Sequence, residues 1–297
     1  MDHHPPTNPD ERARRLYDLT AARAGRAVLA GYSSSFGLGS RLLGARARAD
    51  IEAVYALVRI ADEIVDTYRG SDAGALLDEL EAQTARALES GYSTNLVVHA
   101  FAATAQRTGI GHDELDPFFA SMRADLTVRV HDRASYEAYV HGSAEVVGLM
   151  CLAVFLNADR LPGEPVRRGD ERLRAGAQAL GAAFQKINFL RDLGADSDGL
   201  GRSYFPGIAP GSLTQAQLDA ILAEIAADLE TARDALPGLP RRARVAVDAT
   251  LGLYERLLHQ LAATPPDEVL ARRVRVGTPR KLAVVAGAVA RQSRGRA

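Results

Sequence analysis

Apolar residues recur along most of this chain at the three- and four-residue steps of an amphipathic helix. Between Ala49 and Thr67 they fall at Ile51, Val54, Leu57, Val58, Ala61 and Val65, which lays one stripe along a helix. The same spacing predicts helices over roughly 11–30, 72–90, 93–108, 113–130, 135–157, 170–196, 214–235, 239–263 and 279–291. No segment sustains the period-two alternation of a half-buried strand, so an all-α fold is expected. Breaks are short: Leu161–Pro165, Pro237–Pro240 and Thr264–Pro266 read as loops. Ser212 with Gln215 three residues on fits a capping box. The longest irregular stretch is expected from Ser197 to Gly211, a length often used for functional lids. With no internal repeat and no strong linker, one domain over 1–297 is expected, frayed at 1–10 and 291–297.

Composition narrows the class. The 297 residues are 47% hydrophobic and 25% charged, as in ordinary globular proteins. Thirty-six basic against 37 acidic residues leave a net charge of −1, without the basic excess of a nucleic-acid binder. A single cysteine, Cys151, excludes an internal disulfide framework and suits a reducing compartment. The longest apolar run, Val146 to Leu156, has eleven residues, too few to cross a bilayer. Met1 to Pro6 lack the blocks of a signal peptide. A cytoplasmic location is expected, with peripheral membrane contact left open.

The chemistry begins at Asp62-Glu63-Ile64-Val65-Asp66. Asp62 and Asp66 are four apart and share one helix face, with Tyr55 and Arg59 at the preceding steps of that stripe. Like charges at this spacing cost an isolated helix about 0.2–0.5 kcal/mol. The pattern recurs: Gln185, Asn188, Asp192 and Asp196 lie in register beside Phe184, Ile187, Phe189 and Leu190. Buried carboxylates need partners. Magnesium fits, since it takes oxygen ligands from carboxylates and substrate phosphates. Two such helices facing each other would hold metal ions against a diphosphate and make it a good leaving group. The competing reading is a solvated face, with Arg59 pairing Asp62 and Arg69 pairing Asp66.

Other segments are weaker signals. Ser33-Ser34-Ser35-Phe36 is a turn whose hydroxyls and amides suit phosphate oxygens, or a plain serine-rich cap. Gly142, Ser143, Ala144 and Gly148 allow close approach, either to a hydrocarbon tunnel or to a neighbouring helix. In Gly201-Arg202-Ser203-Tyr204-Phe205-Pro206, Arg202 suits a phosphate, and Tyr204 with Phe205 suits closure of a cavity. Tyr254 reads as core. Arg275, Arg280 and Lys281 add positive charge near a diphosphate or on a solvated surface.

These blocks, in this order, resemble the squalene/phytoene synthase family over about residues 25–290. The matching residues are Tyr55-Ala-Leu-Val-Arg59-Ile-Ala-Asp62-Glu-Ile-Val-Asp66, then Phe184-Gln185-Lys-Ile-Asn188-Phe-Leu-Arg191-Asp192-Leu-Gly-Ala-Asp196. Arg202-Ser-Tyr204-Phe-Pro206 resembles the family's flap, and Ser33-x-Ser35-Phe36 its first diphosphate-binding turn. Tyr139-Val-His-Gly142-Ser143-Ala144 and Ser121-Met-Arg-Ala-Asp125-Leu look most like the bacterial phytoene synthases. The resemblance implies an isoprenoid-synthase helical bundle around a central cavity. It implies that Asp62, Asp66, Asp192 and Asp196, joined by Asn188, hold magnesium, or manganese in its place. It implies that Ser33, Ser35, Phe36, Arg59, Gln185, Asn188, Arg191, Arg202 and Tyr204 bind substrate, and that Tyr55, Tyr139 and Tyr254 surround a carbocation. Departures are Tyr32 where many relatives carry His, Ser34 where some carry a basic residue, and Ala195 in place of an acid.

The activity implied is head-to-head condensation of two prenyl diphosphates. Two geranylgeranyl diphosphates would give phytoene through a cyclopropylcarbinyl diphosphate, with no nucleic-acid partner. The alternatives are squalene, dehydrosqualene or presqualene diphosphate formation from farnesyl diphosphate, with NADPH needed only for squalene. A terpene cyclase or chain elongase is a rival within isoprenoid chemistry, and a non-catalytic assembly protein is the rival outside it. Oligomeric state is not legible.

Overall fold

The computed structural model describes residues 8–33, 37, 39–199, 204–209, 211–271, 287–288 and 291, and the side chains of 194–199 lie outside the description. Among the described residues the elements are helical: α1 (Pro9–Tyr32), α2 (Ala45–Asp66), α3 (Ala73–Ser90), α4 (Leu96–Thr108), α5 (His112–Thr127) and α6 (Arg133–Val140). A π-helical turn, His141–Glu145, runs straight into α7 (Val146–Asn157). Then come α8 (Glu171–Gly199), α9 (Gln215–Ala235), a 3-10 turn at Leu236–Gly238, α10 (Arg241–Ala262) and α11 (Pro266–Ala271).

Local chemistry sets the ends. Asn8 opens α1 by accepting a hydrogen bond from the Asp10 amide at 3.0 Å, with Pro9 in the first turn. The chain is therefore helical from Pro9, earlier than the expected fraying to residue 10. Asn95 caps α4 on the amides of Val97 and Val98. Gly91 and Gly109, at φ 68° and 80°, close α3 and α4 in the left-handed conformation. The capping box before α9 is formed by Thr214 and Gln217, not by Ser212 and Gln215. Thr214 sits where the backbone is extended and three residues before a glutamine, so it fits the same rule two positions on. Helix α8 runs to Gly199, past the predicted start of irregular chain at Ser197. The predicted helix 279–291 and the end at 291–297 fall mostly outside the described residues, but Arg291 is helical and pairs with buried Asp248 at 3.0 Å.

Two apolar cores meet in the bundle. The first joins α2, α3, α4, α5 and α7 through Ile51, Leu57, Phe101, Phe118, Met122 and Met150. The second joins α6, α8, α9, α10 and the 204–208 segment through Tyr136, Ile187, Leu190, Phe205, Ile225 and Leu261. Helix α7 packs against both α2 and α8, while α2 and α8 make no extensive contact with each other. α7 thus forms the wall that spaces the two aspartate-bearing helices.

The apolar run at 146–156 belongs to a continuous 25-residue helix, Arg133–Asn157, long and apolar enough by composition to cross a membrane. Here half of its most apolar stretch is buried inside the bundle, with Val146, Met150 and Val154 in the first core. Its small residues serve helix packing instead of a tunnel. A Cβ on Gly142 would lie 2.1 Å from the Pro117 carbonyl and the Ser121 hydroxyl. One on Gly148 would lie 2.2 Å from the Ala177 carbonyl, and one on Gly181 would lie 2.3 Å from that of Ala144. Gly142→Ala is expected to destabilise the fold by about 1–3 kcal/mol through overpacking against backbone. Gly74→Ala, whose Cβ meets nothing nearer than Leu126 at 3.9 Å, should be neutral or stabilising. Urea denaturation of the two variants checks the difference.

Candidate functional site

The polar stripes on α2 and α8 are half-buried while their flanks are fully buried. On α2, Tyr55, Arg59, Asp62 and Asp66 keep intermediate exposure beside buried Val54, Leu57, Ala61 and Val65. On α8, Gln185, Asn188, Arg191 and Asp192 do the same beside buried Lys186, Ile187, Phe189 and Leu190. Residues open on one side and packed on the other border a solvent-reachable space instead of filling a core. Lys186, the charged residue among those flanks, points away and pairs with Glu224 and Asp228 of α9 at 2.6 and 2.7 Å.

Asp62 is the electrostatic centre of this space. About a third of its side chain remains accessible (32%), so it opens into the space from a crowded protein wall. That burial pushes its carboxyl up to about 8, Asp66 and Asp125 push in the same direction, and Arg59 opposes them. The Arg59 guanidinium is 3.9 Å from Asp62 but grips Glu63 more closely, and it lies 4.4 Å over the Tyr32 ring. Ser33, the residue that ends α1, hydrogen-bonds Tyr55, whose hydroxyl is pushed up chiefly by burial.

Asp125 of α5 is a site residue that periodicity does not single out. It is 4% exposed and accepts the Tyr139 hydroxyl at 2.6 Å and the Tyr204 hydroxyl at 3.2 Å. Tyr204 stacks on Phe189 of α8 at 4.1 Å and 7°, and on His131 at 5.7 Å. Burial and the neighbouring Asp125 hold the Tyr139 hydroxyl well above its ordinary value, so it stays a donor. A sequence signal did exist: Ser121 and Asp125 are polar residues four apart on a helix face that also buries Phe118 and Met122.

Tyr254 closes the ring from α10. It stacks on Phe184 with centroids 3.6 Å apart. Burial raises it, Arg191 opposes, and Tyr55 adds to the rise. It therefore stands between α8 and α2 at the site and is more than the core residue its apolar neighbours suggested. The structure thus brings Ser33, Tyr55, Arg59, Asp62, Asp66, Tyr139, Arg191, Tyr204 and Tyr254 into one neighbourhood. Arg191 is not directed at open space: it holds Asp192 with contacts of 2.6 and 3.0 Å. Among the described residues, Gln185 and Asn188 make no side-chain hydrogen bond. Ser35, Phe36 and Arg202, like Ser34, Arg275, Arg280 and Lys281, lie outside the described residues, as does the side chain of Asp196.

Among the described residues, no three acidic, histidine or cysteine side chains gather into a ready-made metal cage. The donor set nonetheless fits a hard divalent cation. It is all oxygen, and Asp66 and Asp125 crowd Asp62 with negative charge against which Arg59 is the opposing cation. The single thiol, Cys151, is held near about 12 by burial and offers no thiolate.

Among the described residues the chain is a helical bundle with one aspartate pair on α2 and another on α8, and comparison with known proteins supplies the family. The profile of the squalene/phytoene synthase family matches residues 29–280, and the chain belongs to that family. It is 30% identical to the 15-cis-phytoene synthase of Synechocystis sp. over 278 residues, covering 86% of this chain and 81% of that one. It is 33% identical to a phytoene synthase of Arthrospira platensis over 189 residues, which is 61% of this chain and 59% of that protein's length. In three dimensions it superposes on a crystal structure of a dehydrosqualene synthase with a TM-score of 0.77 at 20% identity, covering 94% of this chain and 99% of that one.

The raised Asp62 carboxyl gives a signed prediction. The unfolded chain releases this proton near 3.8 and the folded chain holds it to about 8. Folding therefore costs more as pH rises across that window. In chelator, Asp62→Asn should raise the melting temperature at pH 8 and flatten its fall between pH 4 and 8. Thermal denaturation of the two proteins across that range checks it, and a lower melting temperature for the variant would mark Asp62 as a structural ion pair.

Proposed function

We propose that this chain condenses two prenyl diphosphates head to head, taking two C20 geranylgeranyl diphosphates to phytoene. The reading is carried by the charge-crowded Asp62 of α2, which acts electrostatically on the Tyr55 and Tyr139 hydroxyls, in a chain of this family that has a second aspartate pair on α8. The phytoene synthases among its relatives support the C20 assignment. Asp62, Asp66, Asp192 and Asp196, with Asn188, would hold magnesium or manganese, which supplies positive charge to the departing diphosphates.

The remaining work belongs to the side chains. Gln185, Asn188 and the Ser33 hydroxyl orient diphosphate oxygens, with Ser35 and Arg202 in the same role. Arg59 and Arg191 exchange their carboxylate partners for phosphate. Tyr55, Tyr139, Phe189, Tyr204 and Tyr254 present rings to an allylic cation and keep water from it. Departure of the first diphosphate leaves an allylic cation, which the alkene of the second substrate attacks; loss of one proton as the three-membered ring closes gives a cyclopropylcarbinyl diphosphate. Loss of the second diphosphate, rearrangement and release of one proton complete the triene. Loss of a proton needs no reductant; hydride delivery, as for squalene, would need NADPH. The reading places the enzyme in the cytoplasm with a peripheral encounter with membrane, where a C40 hydrocarbon is soluble.

Incubation of the protein with magnesium and C15 or C20 diphosphates, followed by mass spectrometry of the extract, tests the reading. A C40 triene is expected. A C30 product with C20 untouched would overturn the chain length, and no hydrocarbon at all would favour an assembly protein. Asp62→Ala and Asp192→Ala should each lower kcat by about 10²–10³ or more.

Asp125 is assigned as a positioning residue that fixes the Tyr139 and Tyr204 rings. Asp125→Ala should lower kcat by about 10–100-fold with little change in KM. Asp125→Asn, which keeps a carbonyl acceptor, should restore part of the loss. Steady-state kinetics of both variants separate this role from a merely structural one.

A further inference from the structure

The outward side of α1 carries a pattern the site does not use. Arg12, Arg15, Leu16, Leu19, Arg23 and Arg26 are spaced so that all six share one helix face. All are exposed, Leu16 by 63% and Leu19 by 49%. The opposite side is fixed by Ala21, Gly25 and Leu29, packed against α2 and α4. A Cβ on Gly25 would stand 3.2 Å from the Glu52 carbonyl, so the helix lies close on its support. The face is therefore held rigidly outward.

Its charge is one-sided. The only acid between Arg12 and Arg26 is Asp18, and it is turned away to Arg14 at 3.0 Å and His99 at 2.8 Å. Among the described residues, none of the four arginines of the face forms an ion pair. In a chain of net charge −1, this is a local cationic excess along about 21 Å of helix, with two large aliphatic side chains between the cations. A symmetric contact with a second copy would set arginine against arginine. A nucleic acid would bring phosphates onto the leucines. An anionic bilayer satisfies both features, with guanidinium groups at headgroup level and leucines below them.

We propose that α1 docks flat on an anionic lipid bilayer through Arg12, Arg15, Arg23 and Arg26, with Leu16 and Leu19 entering the acyl boundary. This rests on the membrane encounter in the proposed function and names the surface that makes it. The same helix ends at Ser33 beside Tyr55, so docking sets the bilayer alongside the helix that leads to the site.

The test is flotation of the full-length protein with phosphatidylcholine vesicles, with and without about 30% phosphatidylglycerol. Binding to the anionic vesicles alone is expected, weakening as salt rises. A variant with Arg12→Gln, Arg15→Gln, Arg23→Gln and Arg26→Gln should bind at least about tenfold more weakly. A second variant, Leu16→Gln with Leu19→Gln, should also bind more weakly. A charge-matched control with Arg168→Gln, Arg174→Gln, Arg241→Gln and Arg242→Gln should bind as the parent does, and circular dichroism should find all three folded. No binding by the parent would overturn the membrane encounter itself. Equal binding by the parent and both α1 variants, or equal loss in the control, would overturn the assignment to α1 alone. Tighter binding to a single-stranded oligonucleotide than to the vesicles would overturn the lipid as partner.

Discussion

Two carboxylates, Asp66 and Asp125, come within electrostatic reach of a third, Asp62, where two apolar cores meet. Burial strengthens their repulsion, because little water screens them. Asp125 is settled internally by two tyrosine hydroxyls. Asp62 is not, since its nearest arginine is committed first to Glu63. Everything nearby is arranged to keep that imbalance in place: α7 stands between α2 and α8, and the stripes stay half-open instead of collapsing. A helical protein selected for stability alone would have replaced Asp62 or given it a cation of its own.

The arginines show the same restraint. Arg59 is shared among Glu63, Asp62 and the face of Tyr32, and Arg191 is closed onto its neighbour Asp192. Cation and carboxylate are thus stored together at both ends of the space. An incoming polyanion and its counterions can take them apart without leaving either uncompensated, which keeps the change in desolvation small.

Most of the fold was legible because helices announce themselves through apolar spacing, and α2 and α8 do so with polar residues held in register beside it. Family membership followed from the same blocks. What escaped was decided by contacts remote in sequence. Asp125 looks like any surface acid until Tyr139 and Tyr204 arrive from two other elements. Tyr254 reads as core from its apolar neighbours, and only the family resemblance assigned it to the site where Arg191 and Tyr55 are found beside it. The cap at Thr214 and the extension of α8 to Gly199 differ from expectation by two and three residues, within the reach of local competition among cap formers. The π-turn was not read from the pattern, because His141-Gly142-Ser143-Ala144-Glu145 signal close packing without marking where a helix widens.

That wide turn at His141–Glu145 has an architectural consequence. One residue in a regular helix corresponds to a rotation of about 100°. By absorbing an additional residue between two co-linear segments, the turn sets the azimuth of Tyr139 independently of the face α7 presents to both cores. Lineages could therefore re-aim an aromatic ring by a one-codon insertion or deletion at this joint, leaving the supporting scaffold in its original register.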